Sequence, residues 1–422
     1  MLYRLLFPQP SRSIFMKKTV HVIGAGAVGI SCAIHLLSDG HNVVLLDREG
    51  PAAGASFGNA GAIVNGSCLP TATPGIVLSA LKMLLNKGPL SIQAKHALSL
   101  TPWLLRFVNQ SRETNYLNSA EHLIALTNHA NSSWQRLLSN TPCQSLMVQN
   151  GWLRLFETTA AFDANLAARE LMDQLQVPYQ LLNQQEVRDL EPNLAPIFKH
   201  GFFQSDCHSI NNPGRMLESL TDHFIALGGT FKQCNIQDIQ IQNEQITLKT
   251  NQSDLSVEKI VLCTGAWSTQ LTKGLNYRAP LAAERGYHMM LPATDAISRP
   301  VVNADRGFVI CPMESGLRVT SQVELADVDA PADYQKIQSY LPDVQHMLPS
   351  IEPKIESCWM GPRPSFPDSL PVISQFSEHI YFAFGHQHLG LTLGPITGEL
   401  IADLVAQRAP NIDLTPYRHD RF

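Results

Sequence analysis

Long apolar runs, paired cysteines, basic tracts and charge in general are all scarce in this chain of 422 residues. Charged residues make up 16% against 44% hydrophobic ones, a balance that reads as globular rather than disordered. The formal net charge is -5, and the 31 lysines and arginines form no run able to track phosphates, which argues against a nucleic-acid binder. Eight cysteines stand at 32, 68, 143, 207, 234, 263, 311 and 358, with no CxxC pair and no Cys/His cluster at metal-ligand spacing. They read as reduced and structural, Cys32 and Cys263 in apolar surroundings, and no metal site is expected. GASFG at 54–58 has G-x-S-x-G spacing but lies in a Gly/Ala-rich turn segment rather than at a strand-to-helix elbow, and with no HExxH the chain gives hydrolytic chemistry no support.

Residues 20–37 are the stretch most easily mistaken for a signal peptide or a membrane span. Three closely spaced glycines punctuate it, whereas a spanning helix needs about 20 apolar residues without such breaks. Residues 1–15 are expected to form a loose extension, with the folded body starting near Met16. No transmembrane helix is expected further on. A cytoplasmic placement follows, with peripheral contact at the inner membrane left open.

What is present is a strand–turn–helix–strand frame. A β-rich run at 19–23 leads into Gly24, Gly26 and Gly29 at G-x-G-x-x-G spacing; helical periodicity follows over 30–38, and a second strand at 42–46 ends at Asp47. In that frame the first glycine permits a tight turn, the second lets backbone approach a pyrophosphate, and the third lets helix and strand pack closely. The helix N-terminus offers unpaired N–H groups and a favourable dipole to phosphate. Asp47 stands where a ribose-binding acid belongs. The frame predicts dinucleotide binding but does not separate NAD from FAD.

Three later segments bear on that choice. GPAAGASFGNAGAIVNG at 50–66 lets backbone run beside an extended ligand, and its Ser56 and Asn59 can donate hydrogen bonds. KIVLCTGAW at 259–267 ends a strand in small residues. YFAFGHQHLGLTLGPITGELIADLV at 381–405 takes a strand through a glycine turn into a long helix.

Together GAGAVG with Asp47, GASFGNAG, LCTGAW, ERGYH, GPRPSFPDSLPVI and GHQHLGLTLGP, spread over residues 20–398, resemble the FAD-dependent amino-acid oxidase and dehydrogenase family, specifically its D-amino acid dehydrogenase branch. GHQHLG and RGYH are also similar to the subgroup that oxidises cis-4-hydroxy-D-proline. The resemblance implies FAD in extended form, its adenosine at the first glycine motif and its ring near the C-terminal glycines. It implies cofactor contacts from Gly24, Gly26, Val28, Gly29, Asp47, Arg48, Ser56, Asn59, Ala60, Gly61, Gly265, Gly385, Leu389, Gly390 and Thr392. It further implies a small D-amino acid substrate, an imino acid product, and a respiratory acceptor such as a quinone or electron-transfer partner.

The fold class predicted is α/β, a Rossmann-like FAD-binding domain with a discontinuous α+β substrate domain. FAD-binding segments are expected at 16–75, 205–273 and 365–410. A helical insertion with the first substrate segment occupies 76–204, a second substrate segment 274–364, and a tail 411–422. PGIVLSALKMLL and PWLLRFVNQ read as amphipathic helices, GWLRLFET as a strand, and AAFDANLAARELMDQLQ as one helix. Pro213 starts a helix that Gly228 and Gly229 stop. YRAPLAAERGYHMML, RGFVICPM and GLRVTSQVEL are three successive strands, and VELADVDAPADYQKIQSYLPDV is a loop entering a helix.

Oxidising an α-amino acid requires an anchored carboxylate, a Cα–H aimed at the flavin and a neutral amine as the C–H bond breaks. Arg363, between glycine and prolines, can grip a carboxylate through two parallel hydrogen bonds. The resemblance makes it the anchor; the bland alternative is a surface turn or an ion pair with Asp368. Tyr287 can donate to the carboxylate or line the pocket, and His288 can bond substrate or a flavin oxygen. As strand neighbours the two face opposite ways, so both reach one ligand only through a bulge or bend. Arg285 is a further anion contact.

In GHQHLG the resemblance brings His388 to the ring edge or the substrate, while His386 suits a structural bond to a backbone carbonyl. A neutral histidine, with an ordinary pKa of about 6.5, can take a proton from an ammonium group. Two other classes stay open here. A pyridine-nucleotide reductase would purify colourless, and a non-catalytic flavin-binding subunit would hold a flavin that no amino acid bleaches.

Overall fold

The computed structural model describes residues 18–78, 80, 90–139, 141–292 and 295–422. The extension expected at 1–15 and half of the helix expected at 74–85 lie outside the described residues. A six-stranded sheet runs in the order Thr230–Gln233, Asn42–Asp47, Thr19–Ile23, Lys259–Leu262, Ile380–Phe384 and Val372–Ser377. Neighbours pair in parallel except the last, antiparallel strand. The central strands read as near-continuous Val, Ile and Leu because helices cover both faces of a parallel sheet. Val20, Val22, Leu45, Ile260 and Phe382 are fully buried, each contributing on the order of 2 kcal/mol by leaving water.

Parallel order aims the carboxyl ends of five strands at one edge. Gly24, Asp47, Cys263 and Gly385 stand at or just past those ends. That edge is where open α/β sheets receive ligands. Helix Ala27–Ser38 packs beside the long helix Gly390–Val405, so two helix N-termini open at the same edge.

A nine-stranded sheet forms the second layer. Its path is Ser357–Ser365, Ala282–Leu291, Gly316–Leu325, Phe308–Met313, Val301–Asn303, Trp152–Phe156, His200–Gln204 and Gln180–Asn183, with Leu90–Ile92 added beside Gly316–Leu325. One face buries Leu153, Leu155, Tyr287, Met289, Phe308 and Val319 against Ile337, Val344 and Met347 of two short helices. The other face turns to the nucleotide-binding layer. Between Arg285 and Tyr287 the register against Gly316–Leu325 shifts, and Gln322 adopts φ 76°, a bulge that bends the strand there.

Most predicted elements appear where expected, including the helix Pro213–Ala226 and the three strands around Tyr287, Phe308 and Arg318. The single helix expected over 160–176 is two, Thr159–Ala164 and Leu166–Gln174. Asn165 caps one and starts the next, a position asparagine prefers to a helix interior. Among the described residues no helix is long and apolar enough to cross a membrane, and no group of three or more His, Cys, Asp or Glu is placed to hold a metal.

Candidate active site

A cavity of about 640 Å³ lies between the carboxyl edge of the parallel sheet and the nine-stranded sheet. At its nucleotide end Gly24 takes φ 105°, and a Cβ there would sit 2.5 Å from the Cys263 carbonyl oxygen. Gly29 is packed so tightly that a Cβ would fall 1.8 Å from the Gly24 carbonyl. Helix Ala27–Ser38 has no side-chain cap at Gly26 and no acid in its first turn. Of its first N–H groups, that of Ala27 donates to Ser56 Oγ at 3.1 Å; the turn otherwise suits an external anion.

Asp47 accepts from the N–H of Ala25 (2.8 Å), Glu49 (2.9 Å) and Gly50 (3.0 Å). A carboxylate has about four acceptor positions, so one remains for a ribose hydroxyl. Beside it the Arg48 guanidinium stacks on Trp267 at 4.0 Å. The Trp267 Nε1 is a buried donor with no partner, and the residue lines the cavity. An unused indole N–H, a spare acceptor and an uncapped helix start fit FAD. Gly24, Gly26, Val28, Asp47, Arg48, Ser56 and Trp267 would hold its adenosine and phosphates. Asn59, Ala60, Gly265, Gly385, Leu389, Gly390 and Thr392 line the rest of the same cavity. Gly29 and Gly61 stand behind the wall: Gly29 joins helix to strand, and Gly61 turns the chain at φ 72°.

The loop over the cofactor space is held from the opposite sheet. Arg318 Nη1 donates to the carbonyls of Phe57 (3.1 Å) and Asn59 (2.6 Å), and His288 Nδ1 bonds the Gly58 carbonyl at 3.2 Å. His288 also stacks on Trp359, ring centres 5.2 Å apart. Burial brings its pKa down to about 3, with Arg318 adding to the shift. Desolvation likewise pulls Arg318 down to about 10.

Arg363 lines the cavity with its guanidinium lying over Gly286, where a Cβ would come 2.1 Å from Nη2. Its Nη1 donates to Glu284 Oε1 (3.2 Å) and to the Gln322 carbonyl (3.0 Å). Ser365 Oγ steadies Glu284 from the other oxygen at 3.0 Å. Asp368 pairs with Arg421 instead (2.7 Å), so the alternative Arg363–Asp368 pair does not form. His388 projects into the cavity near this pair. Desolvation lowers its pKa below 6.5; Glu284 opposes that shift and Arg363 adds to it.

Tyr287 and His288 face opposite ways; Tyr287 is among the residues that line the cavity, and His288 is not. The bulge lies just before Tyr287, whose hydroxyl donates to Glu324 at 2.5 Å and whose ring packs in the core beneath the sheet. Burial and then Glu324 push that phenol up to about 12. Arg285 is fully buried on that same side, bonded to the Pro331 carbonyl (2.8 Å) and near Glu324 (3.4 Å), and does not line the cavity. His386 is structural, but its partner is the Thr397 hydroxyl at 3.0 Å rather than a carbonyl; burial lowers its pKa to about 3. Residues the sequence did not single out are Glu284, Gln322, Trp267 and Arg318. A lone arginine in the β-rich run GLRVTSQVEL was the one visible signal.

The sequence profile of the family described as DAO, FAD dependent oxidoreductase, matches residues 19–404. The chain is 31% identical over 415 residues to a D-amino-acid oxidase of Bradyrhizobium diazoefficiens, covering 96% of this chain and 98% of that protein. It is 29% identical to a D-amino acid dehydrogenase of Chromohalobacter salexigens, over 93% of this chain and 97% of that one. Among solved structures, glycine oxidase from Geobacillus kaustophilus superposes with a TM-score of 0.75 at 20% identity, covering 96% of this chain and 99% of that one. The chain therefore belongs to the DAO family and is an FAD-dependent oxidoreductase.

Proposed function

We propose that the enzyme is a D-amino acid dehydrogenase. It oxidises the Cα–N bond of a D-amino acid to an imino acid and passes the electrons to a respiratory acceptor. The observation that carries this reading is Arg363, laid flat over Gly286 and fixed by Glu284 and Gln322 in the cavity that the glycine turn opens. The names of the two relatives, a D-amino-acid oxidase and a D-amino acid dehydrogenase, support it.

FAD, when bound, supplies the hydride acceptor. The chain supplies position and proton traffic. One side of the Arg363 fork is engaged with Glu284 and Gln322, and the other receives the substrate carboxylate through charge-assisted bonds. Glu284 and Ser365 keep the fork from swinging, which fixes where Cα sits. His388, kept neutral by desolvation, accepts a proton from the substrate ammonium nitrogen. Glu284 favours the charged ring that results. His288 and Arg318 act on the loop rather than on substrate.

The test is an anaerobic spectral titration of the purified protein with D-, L- and N-methyl amino acids. Bleaching of a yellow chromophore by D-amino acids and not by L-enantiomers is expected. A colourless protein, or bleaching by L-amino acids alone, overturns the reading. Much faster turnover of D-alanine than of cis-4-hydroxy-D-proline removes the hydroxyproline subgroup, and peroxide formed in step with substrate removes the respiratory acceptor.

A further inference from the structure

Arg154 sits on the strand Trp152–Phe156, whose Leu153 and Leu155 are buried in the core. Alternation turns Trp152 and Arg154 to the opposite face, and both line the cavity. Among the described arginines that are not solvent-exposed, Arg154 alone has no hydrogen-bond, ion-pair or ring partner. Its Nε is buried without an acceptor. Desolvation is the one influence on its acidity, lowering the pKa, and no carboxylate offsets it. A half-buried guanidinium that faces a cavity with no counter-ion gains from a ligand that brings one.

The surroundings specify that ligand. On the next strand Phe202 stands opposite Arg154 and Gln204 opposite Trp152, and the cavity is also lined by the amide of Asn165 and by Met172. We propose that Arg154 binds a second anionic group of the substrate, which is then an amino acid whose side chain ends in a carboxylate. This rests on the D-amino acid reading above, with Arg363 as the first anchor.

Arg363 and Arg154 belong to one sheet: the Arg363 guanidinium lies over Gly286 of Ala282–Leu291, Arg154 stands on Trp152–Phe156 further along, and both side chains line the one cavity.

The test compares D-glutamate with its neutral isostere D-glutamine on the holoenzyme, as a ratio of kcat/KM. Wild type is expected to favour D-glutamate at least tenfold. Arg154→Gln should bring the ratio near one, and Arg154→Lys should keep part of it. A wild-type ratio of one or less, or a tenfold ratio that survives in Arg154→Gln, overturns the inference. If no D-amino acid at all reduces the flavin, the D-amino acid reading has failed instead. Glutarate against butyrate then decides Arg154 on its own: at least tenfold tighter binding of glutarate to wild type, read from the flavin spectrum or Tm, supports it, and equal binding overturns it.

Discussion

The guanidinium of Arg363 fills the space that a side chain at Gly286 would occupy. Glycine at that position is thus part of how the arginine is presented, and the two residues come from adjacent antiparallel strands.

Gly286→Ala should displace the guanidinium rather than unfold the sheet, because the obstructed atoms are the end of a flexible side chain. KM is expected to rise about 10- to 100-fold, equivalent to about 1.4–2.8 kcal/mol, with FAD content unchanged by absorbance. An unaltered KM for D-amino acids would show that Arg363 does not hold the substrate.

Arg363→Ala removes the fork altogether, and loss of two charge-assisted bonds is expected to lower kcat/KM about 100- to 1,000-fold. The measurement is steady-state kinetics beside a flavin spectrum that stays as in wild type. Full activity in this variant would dismiss the anchor.

The pH dependence has a definite sign. His388 serves only when neutral, and its folded pKa lies below 6.5, so kcat/KM should fall on an acid limb placed below pH 6.5. Glu284 raises that pKa, so Glu284→Gln should move the limb to lower pH, and His388→Asn should abolish it. A profile unchanged in both variants assigns the proton to another group.

Stability should fall in acid for a separate reason. His288 and His386 titrate near 6.5 when unfolded and near 3 when folded, so the unfolded chain binds more protons in between. Each then removes up to about 1.4 kcal/mol per pH unit as pH falls from about 6.5 towards 3, while above 6.5 the contribution is complete. Tm measured from pH 7 to pH 4 should decline, and His386→Gln should decline less steeply. Parallel curves would contradict this.

Trp267→Phe deletes the partnerless indole N–H but keeps a ring beneath Arg48. Affinity for FAD, followed by flavin fluorescence, is expected to weaken about 5- to 10-fold, the worth of one hydrogen bond of about 1 kcal/mol or slightly more. Equal affinity would place the cofactor elsewhere.

The nucleotide edge was legible because its determinants are local: turn glycines, a helix start and Asp47 follow one another along about 30 residues. The opposed faces of Tyr287 and His288 were legible too, since alternation is a property of any strand. Which face meets the cavity was not, because that depends on core packing with Ile337 and Val344 and on a bulge made with distant Gln322. Arg285 was misjudged for the same reason: Glu324 and Pro331, which hold it below the sheet, are about 40 residues away. The two histidines of GHQHLG diverge because a single turn of 3-10 helix starts at Gln387 with φ 51°. That sends His386 to Thr397 and His388 into the cavity. Arg154 left a trace, a cation alternating with buried leucines in WLRLF.

The clamp of Arg318 and His288 on the carbonyls of Phe57, Gly58 and Asn59 ties the two layers into one thermodynamic unit. The loop that would lie over a flavin is thus bonded to the sheet that would receive the amino acid, and binding linkage is reciprocal. Occupancy by substrate should therefore tighten the hold on the flavin by the same factor by which flavin tightens the hold on substrate.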